Sequence, residues 1–284
     1  MNPSEAAARA WFAEDIRVTC NVRSAAIVEA LATIPRERFL GPGPWLFRAE
    51  TDTSGPRTTD DDHPSRVYHN IAIAIDPERN LYNGQPGLIA RWLDHLAIAP
   101  GEKVLHIGCG TGYFTAMIAH VVGPGGHVIA FDVDEALADR ARANLVDWPW
   151  VDVSHGDGRT HLPAHRDVVV VHAGATHVLD EWLDALNDGG RLLVPLTVAL
   201  PGMPAGIGKG LVLTVRRSGD EWVASFVSMV AIFSLIVGRD EAMSAKLSRA
   251  MAAGVMPKVM RLRRDAHEPT SDCWLHGDTT CISA

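Results

Sequence analysis

The chain has 284 residues, of which 47% are hydrophobic and 21% are charged, a composition typical of a folded globular protein. Its formal net charge of −8 gives little general attraction for phosphate backbones, so nucleic acid is not expected as the main partner. We expect a cytoplasmic protein without a membrane segment. Residues 1–10 lack the pattern of a signal peptide, and prolines interrupt the longest uncharged stretch, 192–208.

The four cysteines, Cys20, Cys109, Cys273 and Cys281, are not spaced like metal ligands. They form no Cys-x-x-Cys pair, so we expect reduced thiols and no bound metal. Cys273 and Cys281 are near enough in sequence to bridge across a short loop, which the sequence alone leaves open.

The N-terminal part of the chain predicts helices followed by a loop. Residues 4–34 are rich in alanine and carry apolar positions at helical spacing, and the pattern ends before Pro35. Residues 49–66 are polar and contain a glycine, two prolines and three consecutive aspartates, which predicts a solvated loop.

The middle of the chain alternates between strand and helix patterns. The predicted strands are 103–107, 127–132, 151–157, 167–174 and 191–196, and the predicted helices are 87–96, 113–122, 135–145 and 179–186. This order predicts an α/β fold built on a doubly wound, mostly parallel sheet. The four consecutive valines at 168–171 are typical of a strand that is buried on both faces.

The C-terminal part predicts an antiparallel extension. Residues 210–217 and 221–237 are two strand patterns joined by the turn Ser218-Gly219-Asp220, residues 240–257 are helical, and the last 27 residues are irregular with at most one final strand. We therefore divide the chain into an N-terminal helical segment and loop (1–80), an α/β core (81–216) and a C-terminal β/α extension (217–284).

A glycine-rich segment joins the first core strand to the next helix. Gly108-Cys109-Gly110-Thr111-Gly112 has the pattern G-x-G-x-G, which differs from the dinucleotide pattern G-x-G-x-x-G and lacks the lysine of a P-loop. Asp132 ends the second strand, where an acidic group can accept hydrogen bonds from ribose hydroxyls. Asp157 ends the third strand, where a carboxylate could meet an adenine amine. A nucleoside without pyrophosphate fits these positions, and S-adenosyl-L-methionine is the expected cofactor.

Several ordered motifs resemble those of the protein-L-isoaspartate O-methyltransferases, a family of S-adenosylmethionine-dependent enzymes. Ile34-Pro35-Arg36-Glu37-Arg38-Phe39 is similar to the family's V-P-R-E-x-F, Gln85-Pro86 to its S-Q-P, residues 155–159 to its GDGR motif and residues 189–196 to its strand after the core. The resemblance spans roughly residues 20–240. The residues expected to bind the cofactor are Gln85, Gly108, Cys109, Gly110, Gly112, Tyr113, Asp132, Val133, Asp157 and Gly158.

The sequence departs from the family pattern at two positions. His106 stands where the family usually has an acidic residue, and Gly84 stands where the family has its active-site serine. Three interpretations stay open: a carboxyl methyltransferase for peptides or proteins, a methyltransferase that modifies a biosynthetic peptide or small molecule, and a catalytically silent cofactor-binding or scaffold protein. The oligomeric state is not predicted.

The type of methyl acceptor decides which side chains catalysis requires. A carboxylate has a pKa of about 4 and is already ionised at neutral pH, so it needs alignment and not a base. A hydroxyl or amine acceptor would need a base, for which His69, His106, His172 and His177 are candidates. Tyr82 and Asn83, which flank the missing serine, are the residues expected to position a carboxylate.

Overall fold

The computed structural model describes residues 3–49, 54–254 and 260–283, and it confirms the alternation of helices and strands in the middle of the chain. The α-helices are α1 (Pro3–Thr19), α2 (Ala25–Thr33), α3 (Pro86–Leu96), α4 (Tyr113–Val122), α5 (Glu135–Asn144), α6 (Asp180–Asp184) and α7 (Glu241–Ala252), and 3₁₀ turns cover Arg36–Phe39 and Pro64–Val67. None of these helices is both long and apolar enough to cross a membrane.

Fourteen strands accompany these helices within the described residues. They are β1 (Leu46–Arg48), β2 (Arg57–Thr58), β3 (Ala72–Asp76), β4 (Leu81–Tyr82), β5 (Lys103–Ile107), β6 (His127–Asp132), β7 (Val151–His155), β8 (Arg166–Val171), β9 (Leu186–Val198), β10 (Ile207–Ser218), β11 (Glu221–Phe233), β12 (Met260–Arg263), β13 (Cys273–His276) and β14 (Cys281–Ser283).

Local packing corrects several predicted boundaries. The helical stretch 4–34 is two helices, because Ser24 caps a new one by accepting a hydrogen bond from the N–H of Ile27. The helix predicted to run to residue 186 ends at Asp184. Residues 187–190, which include Gly189 and Gly190, belong to β9. They form an irregularity at which the register of β9 against β8 shifts.

Some of the predictions for the C-terminal part are confirmed and others need correction. The β10–β11 hairpin and its turn at Ser218-Gly219-Asp220 are confirmed, with Ser218 opposite Glu221. The predicted helix 240–257 is observed over Glu241–Ala252, and its last predicted residues, 255–257, lie outside the described residues. The tail is more regular than predicted, because β12, β13 and β14 add to the sheet edge by antiparallel pairing.

The chain forms two units, and the first comprises residues 1–102 and 109–155. It contains α1 to α5, the small antiparallel sheet in the order β2-β1-β3-β4, and the parallel pair β6–β7. Helix α4 is buried along nearly all its length, which explains why its sequence is apolar on every face. The division predicted at residues 80 and 216 follows sequence pattern alone and stays a prediction.

The second unit comprises residues 103–108 and 156–284. Strands β5, β8 and β9 are parallel neighbours, and β9 to β14 continue as an antiparallel sheet. The valines of β8 are fully buried, as expected for a strand covered on both faces. The antiparallel pairing of β9 to β14 confirms the antiparallel extension predicted for the end of the chain.

In the first unit, the buried guanidinium of Arg36 fixes the segment that leads to Gln85. One Nη atom donates to the backbone oxygens of Val67 at 2.7 Å and His69 at 3.0 Å. The other donates to the oxygen of Ile71 at 2.7 Å and to Oδ1 of Asn83 at 3.3 Å. Burial lowers the pKa of Arg36 to about 10, so the group stays cationic at neutral pH. One side chain thus holds four oxygen atoms along residues 67–83.

We expect Arg36→Lys to lower the free energy of unfolding by about 3–5 kcal/mol, because an ammonium cannot reach four acceptors and each buried oxygen left without a donor costs about 1–3 kcal/mol. Urea denaturation followed by circular dichroism measures the loss. Arg38→Lys is the matched control on the same 3₁₀ turn, since its ion pair with the exposed Asp147 contributes less than about 1 kcal/mol. Equal small losses in both variants would contradict the role of Arg36.

Candidate active site

The glycine segment between β5 and α4 follows a backbone path that favours glycine at three points. Gly108, Gly110 and Gly112 have φ angles of +78°, +56° and +95°. A residue with a Cβ adopts this left-handed region at a cost of about 1–2 kcal/mol. A Cβ on Gly112 would also lie 2.9 Å from Cδ1 of Leu145, whereas a Cβ on Gly110 would meet only Cδ1 of Ile75, at 3.5 Å. At position 110 the backbone conformation, and not internal packing, is what favours glycine.

Asp132, the last residue of β6, holds this segment in place. Its Oδ2 accepts a hydrogen bond from the N–H of Gly110 at 2.8 Å, and its Oδ1 accepts one from the N–H of Asp134 at 3.0 Å. Burial raises the pKa of Asp132 against the effect of these two donors. A carboxylate has acceptor capacity beyond two hydrogen bonds, so the predicted contact with a ribose stays a prediction.

Three other residues predicted to bind the cofactor lie in the first unit in different environments. Cys109 is buried, and burial raises the pKa of its thiol well above the usual range, so it is a protonated packing residue. Tyr113 is 1% exposed, and its ring packs edge-on against Phe39 and Phe114. Val133 is 38% exposed and offers an apolar surface beside Asp132. The contact of each with a cofactor stays a prediction.

In the second unit, two side chains of the Gly156–Arg159 motif form an ion pair with each other. Arg159 donates from Nε and Nη2 to the two carboxylate oxygens of Asp157, at 2.9 and 2.6 Å. A Cβ on Gly158 would lie 2.3 Å from Cγ2 of Ile107, so close packing requires glycine there. The Asp157 side chain keeps 29% of its surface exposed, and its predicted contact with adenine stays a prediction.

The candidate histidine bases are poorly suited to that task. The rings of His106 and His172, both in the second unit, lie 5.7 Å apart. Burial lowers the pKa of His172 to about 4 and that of His106 well below its usual value, and burial also lowers the pKa of His177. These imidazoles are neutral and weakly basic at neutral pH. His69 lies in the first unit, where its backbone oxygen accepts from Arg36.

The segment 82–85 carries the residues expected to position the acceptor. Oδ1 of Asn83 accepts from the N–H of Ile73 at 3.0 Å and from Arg36, while its Nδ2 is buried and has no hydrogen-bond partner among the described residues. Gly84, at the position of the family's serine, has a φ of +82°, which disfavours any side chain there. Asn83 therefore carries a hydrogen-bond donor that no described residue uses.

Tyr82 and Gln85 flank this donor. The guanidinium of Arg48 lies over the Tyr82 ring, 5.4 Å from its centroid. Gln85 is the N-cap residue of α3 without a side-chain capping bond, because Oδ1 of Asn70 instead accepts from the N–H of Gly87 at 2.8 Å. The side chain of Gln85 is half-buried and is not required by the helix end.

A cleft of about 490 Å³ in the first unit is lined in part by residues of the segment held by Arg36. Its lining combines apolar surface with two arginines and one aspartate: Phe47, Ala49, Arg57, Thr58, Thr59, Asp60, Arg66, His69 and Ile71. The sequence did not predict this cleft or the contacts of Arg36. The signal that was available is the Ile34–Phe39 motif, which contains Arg36 but gives no indication of its distant partners.

Comparison with known proteins identifies the family. The family model described as protein-L-isoaspartate(D-aspartate) O-methyltransferase matches residues 53–201. The protein-L-isoaspartate O-methyltransferase of Erwinia tasmaniensis is 27% identical over 216 residues, which cover 75% of this chain and 88% of the relative. That of Aeropyrum pernix is 32% identical over 194 residues, or 66% of each chain.

Solved structures agree at the level of the fold. A protein-L-isoaspartate O-methyltransferase superposes with a TM-score of 0.61 at 22% identity, covering 86% of this chain and 69% of its own. One from Plasmodium falciparum, solved with S-adenosyl-L-homocysteine, gives 0.62 at 13% identity, covering 81% of this chain and 99% of its own. These likenesses confirm the predicted α/β fold class.

The matched stretch contains the segment 82–85, the glycine segment and the Gly156–Arg159 motif, so the resemblance predicted from the sequence is confirmed. The chain belongs to the protein-L-isoaspartate(D-aspartate) O-methyltransferase family.

Proposed function

We propose that this protein is an S-adenosylmethionine-dependent methyltransferase that esterifies a carboxylate of a peptide or protein, with isoaspartyl residues as the acceptor class. The observation that carries this proposal is the family match over residues 53–201, which includes both the cofactor and the acceptor segments in one stretch. The relatives from Erwinia and Aeropyrum are protein-L-isoaspartate O-methyltransferases by name.

The residues of the chain fit the cofactor that the family implies. When bound, S-adenosyl-L-methionine supplies a methyl group activated by a sulfonium. Gly108 and Gly110 are half-exposed and leave backbone open to a ligand, Asp132 keeps acceptor capacity, and Val133 offers an apolar surface. We keep the set derived from the sequence for cofactor binding, with Cys109 and Tyr113 as its least exposed members.

The chemistry of the acceptor follows from the side chains near the site. A carboxylate needs no base, and burial makes the imidazoles of His106, His172 and His177 weak bases, with a pKa of about 4 for His172. The unused Nδ2 of Asn83 can donate to one carboxylate oxygen, which would orient the other for methyl transfer. Arg57 in the neighbouring cleft is a cation that suits an acidic peptide, whereas Arg66 is paired with Asp61 through two hydrogen bonds.

A second candidate is a methyltransferase for another acid, such as one on a biosynthetic peptide. The observation that favours it is Gly84, which has no hydroxyl where the family has its serine and whose φ of +82° favours glycine. A cytoplasmic location and the exclusion of nucleic acid remain predictions from the sequence, and the oligomeric state is left open.

The proposal predicts that the purified chain forms S-adenosylhomocysteine and a base-labile methyl ester with an isoaspartyl peptide, and neither with the matching aspartyl peptide. Gly110→Ala should weaken the binding of S-adenosylhomocysteine by about 10-fold or more in calorimetry, since its Cβ would enter the space that we assign to the cofactor. Gly219→Ala is the control, because Gly219 has a similar φ of +60° and no described atom within 4 Å of an added Cβ.

The outcomes separate the open interpretations. Cofactor binding without turnover of the isoaspartyl peptide would contradict that acceptor and favour the second candidate. No cofactor binding by the folded wild-type chain would contradict both and favour a scaffold.

Asn83→Asp tests the positioning donor with little change of shape. Aspartate can still accept hydrogen bonds from Ile73 and Arg36, but it removes the amide donor and adds a like charge beside an acidic acceptor. We expect kcat/KM for the isoaspartyl peptide to fall by about 10-fold or more, with cofactor affinity unchanged. Asn80→Asp, in the preceding turn, should leave both values near those of the wild type. An unchanged kcat/KM in Asn83→Asp would refute the role.

The neutral imidazole of His172 predicts a loss of stability in acid. Its pKa of about 4 in the folded state lies below its ordinary 6.5, so the unfolded chain binds the proton first as the pH falls. The stabilisation is complete above pH 6.5 and is lost as the pH falls toward 4, by up to about 3 kcal/mol. Between these pH values, the free energy of unfolding measured by denaturation should change less steeply with pH for His172→Gln than for the wild type. The exposed His161→Gln is the control, and an unchanged slope in His172→Gln would contradict the burial of a neutral ring.

A further inference from the structure

Four side chains with metal-binding atoms meet at the C-terminal edge of the second unit. His276 and Cys281 stand opposite each other in the β13–β14 hairpin, whose loop is closed by a hydrogen bond from the N–H of Gly277 to the oxygen of Thr280 at 2.9 Å. Cys273 is the first residue of β13. His267 lies in the loop between β12 and β13. The fold thus brings two thiols and two imidazoles together.

The spacing of these atoms is close to that of a tetrahedral site. The four candidate ligand atoms all lie within 4.8 Å of one another. With zinc–nitrogen and zinc–sulfur bonds of about 2.0 and 2.3 Å, the edges of the ligand tetrahedron measure about 3.3–3.8 Å. The distance from Sγ of Cys273 to Nε2 of His267 is 3.5 Å and already fits, and the widest pair needs to close by only about 1 Å.

The surroundings orient the imidazole of His267 for this task and leave one nitrogen of His276 without a described partner. Nδ1 of His267 lies 2.8 Å from the backbone oxygen of Asp265, which leaves Nε2 directed at Cys273. A ligating histidine ordinarily makes such a hydrogen bond through its other nitrogen. Nδ1 of His276 is buried and has no hydrogen-bond partner among the described residues. A buried nitrogen of this kind is costly unless a ligand satisfies it.

We propose that His267, Cys273, His276 and Cys281 bind one zinc ion in a structural site. Two thiolates and two imidazoles are a donor set that zinc prefers, and four protein ligands leave no position for a substrate. Binding deprotonates both thiols and releases their protons to solvent. The spacing is H-x₅-C-x₂-H-x₄-C. This spacing contains no Cys-x-x-Cys pair, because the residue three positions after Cys273 is His276.

The proposed site would add a restraint to a part of the chain whose strands are short. Strands β12, β13 and β14 have only four, four and three residues. The metal would join the hairpin to the loop that precedes it. The hairpin also contacts other elements of its unit, since Thr280 donates to the oxygen of Val178 at 3.1 Å and Lys246 donates to that of His276 at 3.0 Å.

Metal analysis of the full-length protein tests the proposal directly. Protein purified without chelator should contain about one zinc ion per chain by inductively coupled plasma mass spectrometry. Cobalt substitution should give the visible bands of a tetrahedral site and a near-ultraviolet charge-transfer band from thiolate. Removing zinc with a chelator should lower the melting temperature, and adding zinc should restore it.

Variants identify the ligands. Cys273→Ser and Cys281→Ser should each lose zinc, whereas Cys20→Ser, which alters a cysteine outside the cluster, should retain it in full. His267→Cys should keep zinc and strengthen the thiolate band of the cobalt form. This conservative variant keeps the proposal testable if the serine variants fail to fold.

Two results would overturn the proposal. One is wild-type protein, prepared with zinc present, that contains no zinc and melts at the same temperature with and without it. The other is a Cys273–Cys281 disulfide found by mass spectrometry of protein prepared under reducing conditions. Neither the presence nor the failure of methyl transfer affects these outcomes.

Discussion

The position of the proposed acceptor segment, residues 82–85, depends on one buried cation. The guanidinium of Arg36 donates to oxygens that lie 31 to 47 residues further along the chain. These hydrogen bonds replace contacts that the backbone of residues 67–71 would otherwise make with water, and they fix Asn83 by the same means. Without them, neither the cleft lining nor the donor on Asn83 would have a defined position.

A comparable device appears in the second unit. Arg239 donates to the backbone oxygens of Gly174 at 2.8 Å and Thr197 at 2.7 Å, so it fixes the segment that follows β8. Such forked donors suit this task, because one planar group donates to several carbonyls at once. Asp132 has the opposite role in the glycine segment, where its buried carboxylate accepts hydrogen bonds from two backbone N–H groups. Loops at the site are thus held by single charged side chains.

Local patterns predicted the α/β core, and long-range contacts decided the rest. The strand 103–107, the helix 113–122 and the strand 127–132 are observed as predicted, because each is encoded in adjacent residues. The sequence allowed for one final strand, and the other tail strands were missed because they are short and depend on distant partners, as in the pairing of Arg261 with Ser283. Spacing alone pointed to Asp132, whereas the contacts of Arg36 and the four-residue cluster near the C-terminus arise only when the chain folds.

We propose that the segment held by Arg36 places the amide of Asn83 against an acidic acceptor. A crystal structure of the protein with S-adenosylhomocysteine and an isoaspartyl peptide tests this most directly. We expect a carboxylate oxygen of the peptide within about 3.2 Å of Nδ2 of Asn83, with the four contacts of Arg36 intact. A peptide carboxylate bound by other residues, with the Asn83 amide still without a partner, would contradict it.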